Sequence, residues 1–542
     1  MNKSQIWVGN LRYDVVANRI IGSIQFLTAG FGSRSRYRRS RIGGPKSDNE
    51  WREREMMHSA SIEKQSPHLR ILTDGQIAEI KRAAFDVMST VGFKVLHAGA
   101  RQMLKKAGAS VQEERVKVPE FIVNQCLTTV PKGFTVFDRQ GERAMEVEGR
   151  KSYYGTNPAS PNTMDALTGE IHPTTVADIA YGAQVADYCE NISWVMPMGS
   201  CQDVAAISAD LHEFVATVTH TTKPIVFIGY SARGTEMIYQ MAAEVAGGMD
   251  ALRAKPFVML YPEPISPLVY PDEVVERLFL AADLCMPQVP GPAVQLGATG
   301  PATLAGVITQ ITAESLMCLV LAQLRHPGCP VCLSGNVQIL DMRTGIFGVG
   351  FPEMSLGIAA QAEVAQSFGL PTWGYAGCSD AKTVDAQAGL ESGFSILSQG
   401  LAGLNLIHDV GYLDMAMVSS AAQLLLGNEA IGMTKRFLEG ITVNQETLAR
   451  HVIEAVGPGG HFLQQRHTLD HFRGELWRSE LLTRQPYGIW QKEGGKDMAA
   501  RIQEKLVEIV ETHQIPALPQ RVLSAIERIK NEGEKELAAA AK

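Results

Sequence analysis

The sequence predicts an α/β chain centred on a (β/α)8 TIM barrel, with a helical N-terminal cap and a helical C-terminal extension. Three observations carry this. Between residues 151 and 427, eight short apolar, β-rich runs alternate with helical segments at roughly 30 to 40 residues, the period a parallel barrel requires. At 542 residues the chain exceeds one ordinary core and suits a large barrel with appended segments. Its 50 glycines suit many tight turns at strand and helix ends.

Residues 1–65 stand apart. Arg34, Arg36, Arg38, Arg39 and Arg41 alternate with Ser, Gly and Tyr without periodicity, which predicts a disordered basic tail. Over 66–150 a mainly helical subdomain is expected. Thr73 is placed to cap a helix with Ile77, Ile80, Ala84, Val87 and Met88 at helical spacing, ending near Gly92. A helix around 98–107, another from Glu120, and short strands at 134–137 and 144–147 complete it. The eight barrel runs start at Ser152, Ile192, Pro224, Phe257, Ala293, Pro330, Pro371 and Leu404. Thr175, Asp272 and Thr303 are placed to open crossover helices, and 212–219, 234–245, 359–368 and 385–397 have helical character. From 428 to 542 the pattern is helices separated by loops, including the amphipathic stretch 497–512.

Composition narrows the function. A net charge of -7 and a pI near 6.0 give no electrostatic reason to bind nucleic acid, so a small ligand is expected. The eight cysteines are scattered through apolar segments and read as reduced thiols in a cytoplasm. No run of eighteen uninterrupted apolar residues and no ordered signal-peptide pattern is seen, so neither a membrane span nor secretion is expected.

In a barrel of this kind the chemistry sits at the carboxyl ends of the strands, where the βα loops converge. Those ends carry Tyr153, Tyr154, Asn157, Met196, Ser200, Tyr230, Tyr261, Glu263, Ser334, Asn336, Trp373, Tyr375, Asp380, His408, Asp409 and Tyr412. With only 7% of the chain aromatic, this clustering suggests a cage for a soft cation, each ring face contributing about 0.5 to 2 kcal/mol. Against this, any single ring has about even odds of being barrel filler. His408 and Asp409 close the last run and are the candidate catalytic pair, the acid setting the protonation of the imidazole. Asp380 can face a positive ligand or, more simply, cap the helix after it. Cys329 and Cys332 have CxxC spacing but lie on a strand without a second pair. His467 and His471 stand one helical turn apart with Glu475 on the same face; packing or partner contacts are simpler explanations than a metal. Gly345, Gly348 and Gly350 follow no clear strand and do not read as a nucleotide loop.

Three stretches carry a family resemblance: Leu72-Thr-Asp-Gly-Gln-Ile, Gly374-Tyr-Ala-Gly-Cys-Ser-Asp-Ala-Lys382, and Gly460-His-Phe-Leu-Gln-Gln-Arg-His-Thr-Leu469 followed by Glu475-Leu-Trp477. In this order they resemble the trimethylamine methyltransferase family, from about residue 70 to 510. The resemblance implies a barrel that presents a methylated amine to the Co(I) corrinoid (cobalamin) of a separate small protein, with no tightly bound cofactor of its own. The family's trimethylamine enzymes use pyrrolysine, whereas this sequence has only standard residues. Members without it are associated with quaternary amines such as glycine betaine. The expected site places Tyr154, Tyr230, Trp373, Tyr375 and Tyr412 around the trimethylammonium, Asn157 and His408 at a carboxylate or its water shell, and Asp409 behind His408. Expected partners are thus a quaternary or tertiary methylamine and a corrinoid protein, without nucleic acid or membrane; a homo-oligomer is compatible with exposed helical extensions. Other readings are a trimethylamine-type enzyme, a metal-dependent barrel lyase or hydrolase using His408, Asp409 and Asp380, and a non-catalytic betaine sensor.

Overall fold

A computed structural model of the chain describes residues 64–540; the arginine-rich stretch 34–41 lies outside them. Eight parallel strands close into a barrel. They are β1 (Tyr153–Thr156), β2 (Ile192–Trp194), β3 (Ile225–Phe227), β4 (Val258–Leu260), β5 (287–289), β6 (Leu333–Ser334), β7 (Thr372–Tyr375) and β8 (Leu406–Val410). Ladders join β6, β7, β8, β1 and β2 in that order and β3 to β4, while single parallel bridges at Val195–Ile225, Leu260–Gln288 and Gln288–Val331 complete the ring. The helices that follow the strands are α1 (Val176–Tyr188), α2 (Ala209–Thr219), α3 (Ala232–Ala246), α4 (Asp272–Asp283), α5 (Leu304–Arg325), α6 (Pro352–Gln366), α7 (Ala386–Ala402) and α8 (Ala421–Leu438). Thr175, Ser231, Thr303, Asp385 and Ser420 each accept a backbone N–H at a helix start, satisfying donors that would otherwise be orphaned.

The expected fifth strand at Ala293 is corrected. Gln288 and Val289 occupy that place, with Val289 N donating to Leu260 O and Cys332 N to Gln288 O. Pro287, Pro290 and Pro292 keep the true strand short and remove the apolar run by which strands are recognised. Ala293–Leu296 instead pairs in parallel with Asn336–Asp341, which pairs antiparallel with Ile346–Gly348. This small sheet lies over the carboxyl ends of β5 and β6. A second sheet, ordered Tyr412–Leu413, Val418–Ser419, Asn162–Met164, Ile171–Pro173, joins the loops after β8 and β1. The two sheets flank the barrel mouth.

The interior is packed. Trp194, Met196, Val226, Met259, Tyr261, Val289, Cys332, Trp373 and Leu406 form one cluster with Val136, Met145 and Val147. The last three belong to the hairpin Phe134–Phe137/Arg143–Val147, which closes the amino-terminal end. The N-terminal region also contributes the helices Asp74–Asp86, Ala98–Lys106 and Glu120–Thr129 and a sheet in which Phe93–Val95 pairs with Val269–Tyr270 of the β4–α4 loop. Glu363 of α6 accepts the Ile71 and Leu72 backbone N–H groups and fastens its start.

Helix α5 has the length and hydropathy of a membrane span, but 72% of its apolar window is buried inside the protein. Its hydrophobicity comes from burial on nearly every side, against the barrel and the N-terminal helices. Helix α8 runs through the expected boundary at 428. Beyond it, Met498–Thr512 buries Ile502, Leu506 and Ile509, and Gln520–Ala540 packs on α2 and α3, where a Cβ at Gly533 would come 2.5 Å from the Met237 sulfur.

Candidate active site

Strand β8 ends in an irregularity that builds the site. Neighbouring residues of a strand point to opposite faces, so the His408 and Asp409 side chains should diverge. Here the register shifts between Ile407 and Val410, and Asp409 takes φ 77°, the left-handed region that aspartate tolerates better than most residues. The carboxylate turns back, and Asp409 Oδ1 lies 2.5 Å from His408 Nδ1. Both residues are buried.

The imidazole is fixed on three further sides. It stacks on Trp373, with centroids 4.5 Å apart and planes 18° apart, and meets the rings of Tyr261 and Tyr375 at 5.8 and 5.7 Å. His408 Nε2 lies 3.4 Å from Asn336 Oδ1, Asn336 Nδ2 donates to Tyr261 Oη at 2.9 Å, and Tyr261 Oη donates to Glu263 Oε1 at 3.4 Å. A polar string therefore crosses the mouth from β8 to β4. Glu263 ends it; the residue is exposed, and desolvation of its carboxyl by the surrounding protein pushes it up to about 6 against the lowering effect of His408. The loop bearing Glu263 is held from beneath by buried Glu314 of α5, whose carboxylate accepts Ser266 Oγ at 2.6 Å and Leu268 N at 2.9 Å.

Beside the string lies a second acidic group. Glu213 accepts the Tyr230 hydroxyl at 3.0 Å and the Cys201 N–H at 3.2 Å, and Ser200 Oγ is 2.8 Å from the same hydroxyl. Burial raises Glu213 to about 7 and Asp210 to about 6. The positive counterpart is Arg277 of α4, which donates to Gly229 O and whose charge acts on both Asp210 and Glu263.

The structure brings some sequence-predicted residues together and separates others. His408, Asp409, Tyr375 and Tyr412 gather at the mouth, with the Tyr375 hydroxyl donating to Val337 O and that of Tyr412 to Pro158 O. Asn157 Nδ2 donates to Ser419 Oγ at 2.6 Å, while its buried Oδ1 has no partner among the described protein groups. Tyr230 belongs to the Glu213 group. Tyr154 points out of the barrel, its hydroxyl donating to Ile396 O of α7, and Trp373 lies inside the barrel behind His408. Asp380 caps no following helix, a role taken by Asp385; it accepts the Val349 and Gly350 N–H groups instead. Asp380 therefore does not join His408 and Asp409 as a ligand set. Among the described residues the one convergent group of three such ligand types is Glu446, His467 and His471, which includes Glu446 where Glu475 was expected. Cys329 and Cys332 are buried free thiols. Glu263 and Asn336 were visible as strand-end residues but not singled out, and Tyr261 was counted only among the clustered aromatics; Arg277, inside a helix, carried no signal.

The family model described as trimethylamine methyltransferase (MTTB) matches residues 37–536, starting within the stretch set apart as a tail. The chain is 32% identical over 468 residues to trimethylamine methyltransferase of Methanosarcina thermophila, covering 84% of this chain and 95% of that protein. It is 30% identical over 461 residues to glycine betaine methyltransferase of Desulfitobacterium hafniense strain Y51, with the same coverage. The crystal structure of Methanosarcina barkeri monomethylamine methyltransferase aligns over 86% of this chain and 92% of that one, at 10% identity and a TM-score of 0.45. With a family match over most of its length and relatives above the level at which chance likeness occurs, the chain belongs to the trimethylamine methyltransferase family.

Proposed function

We propose that this protein is a methyltransferase that takes a methyl group from a quaternary amine of the glycine betaine type and passes it to the Co(I) corrinoid of a partner protein. The observation that carries the choice of substrate is the acidic mouth. Glu263 stands open to solvent above a buried His408–Asp409 pair, with Asp210 and Glu213 alongside and Arg277 opposing them. Ionised Glu263 draws in a permanent cation whose charge cannot be neutralised by losing a proton, and the buried Asp210 and Glu213 add to the negative potential as they lose their own protons. Glycine betaine methyltransferase among the relatives and the absence of any non-standard residue from this sequence support the same choice.

In this reading Glu263 faces the ammonium, Tyr230, Tyr375 and Tyr412 supply aromatic wall, and His408, oriented by Asp409, meets the substrate carboxylate together with Asn157. Trp373 backs the imidazole, and Tyr154 supports α7 rather than substrate. A quaternary nitrogen leaves as a neutral tertiary amine, keeping the electron pair of the broken N–C bond, so no acid has to protonate it. The residues then orient one N-methyl outward and exclude water around the charge. The corrinoid, a second substrate arriving from outside, supplies a cobalt nucleophile. The exposure of Glu263 on the carboxyl face fits that delivery. Proton NMR of glycine betaine incubated with the protein and a reduced corrinoid protein is expected to show N,N-dimethylglycine, formed at least about tenfold more slowly by His408→Ala with unchanged circular dichroism. Equal rates would remove His408 from the mechanism.

A further inference from the structure

The segment after α8 has little core of its own. Helices Gln445–Leu448, Arg466–His471 and Tyr487–Lys492 bury no side chain, and Arg450–Val456 buries only Val452. Small elements of this kind commonly draw order from a cross-link or a metal. His467 and His471 lie one turn apart on a single helix with ring centroids 4.3 Å apart. Glu446 approaches from a separate helix: its Oε1 is 3.3 Å from His471 Nε2, and its carbonyl oxygen is 3.2 Å from His467 Nε2. One ligand atom from each of the three residues lies within 4.8 Å of the others.

Around tetrahedral zinc, with bonds of about 2.0–2.2 Å, neighbouring ligand atoms stand about 3.3–3.6 Å apart. The His471–Glu446 separation is already such an edge, and the remaining ones require closure by about an ångström. We propose that Glu446, His467 and His471 bind a divalent first-row cation, zinc in particular, which staples helix Gln445–Leu448 to helix Arg466–His471. Two imidazoles and one carboxylate favour zinc over magnesium or calcium, which prefer all-oxygen shells. All three residues are at least partly exposed, which leaves the fourth position to water. The site is remote in the chain from the barrel mouth and does not depend on the methyl-transfer reading.

The test uses the full chain after dialysis against EDTA, titrated with Zn(II), with Co(II) as the visible-absorbing probe. Wild type is expected to bind one more equivalent of zinc than His467→Ala/His471→Ala, and Glu446→Gln to bind it at least about tenfold more weakly. Zinc is also expected to slow proteolysis within residues 441–490 of wild type but not of the double variant. Equal zinc stoichiometry in wild type and double variant, or proteolysis indifferent to zinc, overturns the proposal. If the double variant loses its circular dichroism, Glu446→Gln, altered at an exposed carboxylate, decides: unchanged affinity there overturns it as well.

Discussion

Asp409 owes its contact with His408 to a backbone conformation, since without φ 77° its carboxylate would face away from the imidazole. Asparagine tolerates the same conformation and keeps a hydrogen-bond acceptor but loses the charge. Asp409→Asn is therefore expected to fold with a thermal midpoint near wild type while its methyl-transfer kcat falls at least about tenfold, as measured by single-turnover kinetics. In the proposed reading Glu263 acts by charge at the mouth. Its carboxyl, raised to about 6, is ionised above that pH and neutral below it, so KM for a quaternary amine is expected to rise as pH falls through 6. Glu263→Gln is expected to show a KM about tenfold higher at pH 8 and no such rise on acidification, equivalent to about 1.4 kcal/mol of lost attraction. The placing of His408 and Asp409 at the end of the last strand was legible in the sequence, because it followed from counting strands. The directions of Tyr154 and Trp373 were not. Both faces of a barrel strand are buried, so an apolar run gives no pleat register, and β1 sends Tyr154 outward while β7 sends Trp373 inward.

Elements were legible where apolar runs were long and caps were present. Helix α1 announces itself by Thr175 and Asp178, which form a reciprocal capping box, and the first helix does so by Thr73 and Gln76. β5 was missed because Gln288 and Val289 between prolines, of which Gln288 makes the bridges, carry no periodicity, and the better pattern nearby belongs to a sheet outside the barrel. Strand β1 shows how tightly these elements meet. A Cβ on Gly155 would lie 2.3 Å from the indole of Trp194, itself 5.3 Å from the ring of Trp373. Gly155→Ala therefore forces β1 and β2 apart and is expected to cost about 1–3 kcal/mol, read from the denaturant midpoint, with the stacking behind His408 disturbed as well.

Across the whole molecule, two opposed ends of the barrel do different work. The amino-terminal end is closed by the Phe134–Phe137/Arg143–Val147 hairpin, and the carboxyl end is flanked by two small sheets. Carboxylates gather on the carboxyl side at a cost to stability. Asp210 and Glu213, raised from 3.8 and 4.5 to about 6 and about 7, hold protons in the fold at pH values where the unfolded chain has released them. The folded state binds the extra protons, so their contribution to stability falls as pH rises through that window and levels off above about 7. Glu213→Gln is expected to gain stability relative to wild type between pH 5 and pH 8, measured as the difference in urea midpoints at the two values. A fold that keeps carboxylates where they are costly is consistent with a mouth built for a cation. The most direct test of that claim is spectroscopic: the absorbance of a corrinoid protein reduced to Co(I), followed after adding this protein with quaternary and tertiary amines in turn. The expected result is conversion to the methylated corrinoid with glycine betaine or another quaternary amine. Conversion with trimethylamine alone, or with none of them, would contradict it.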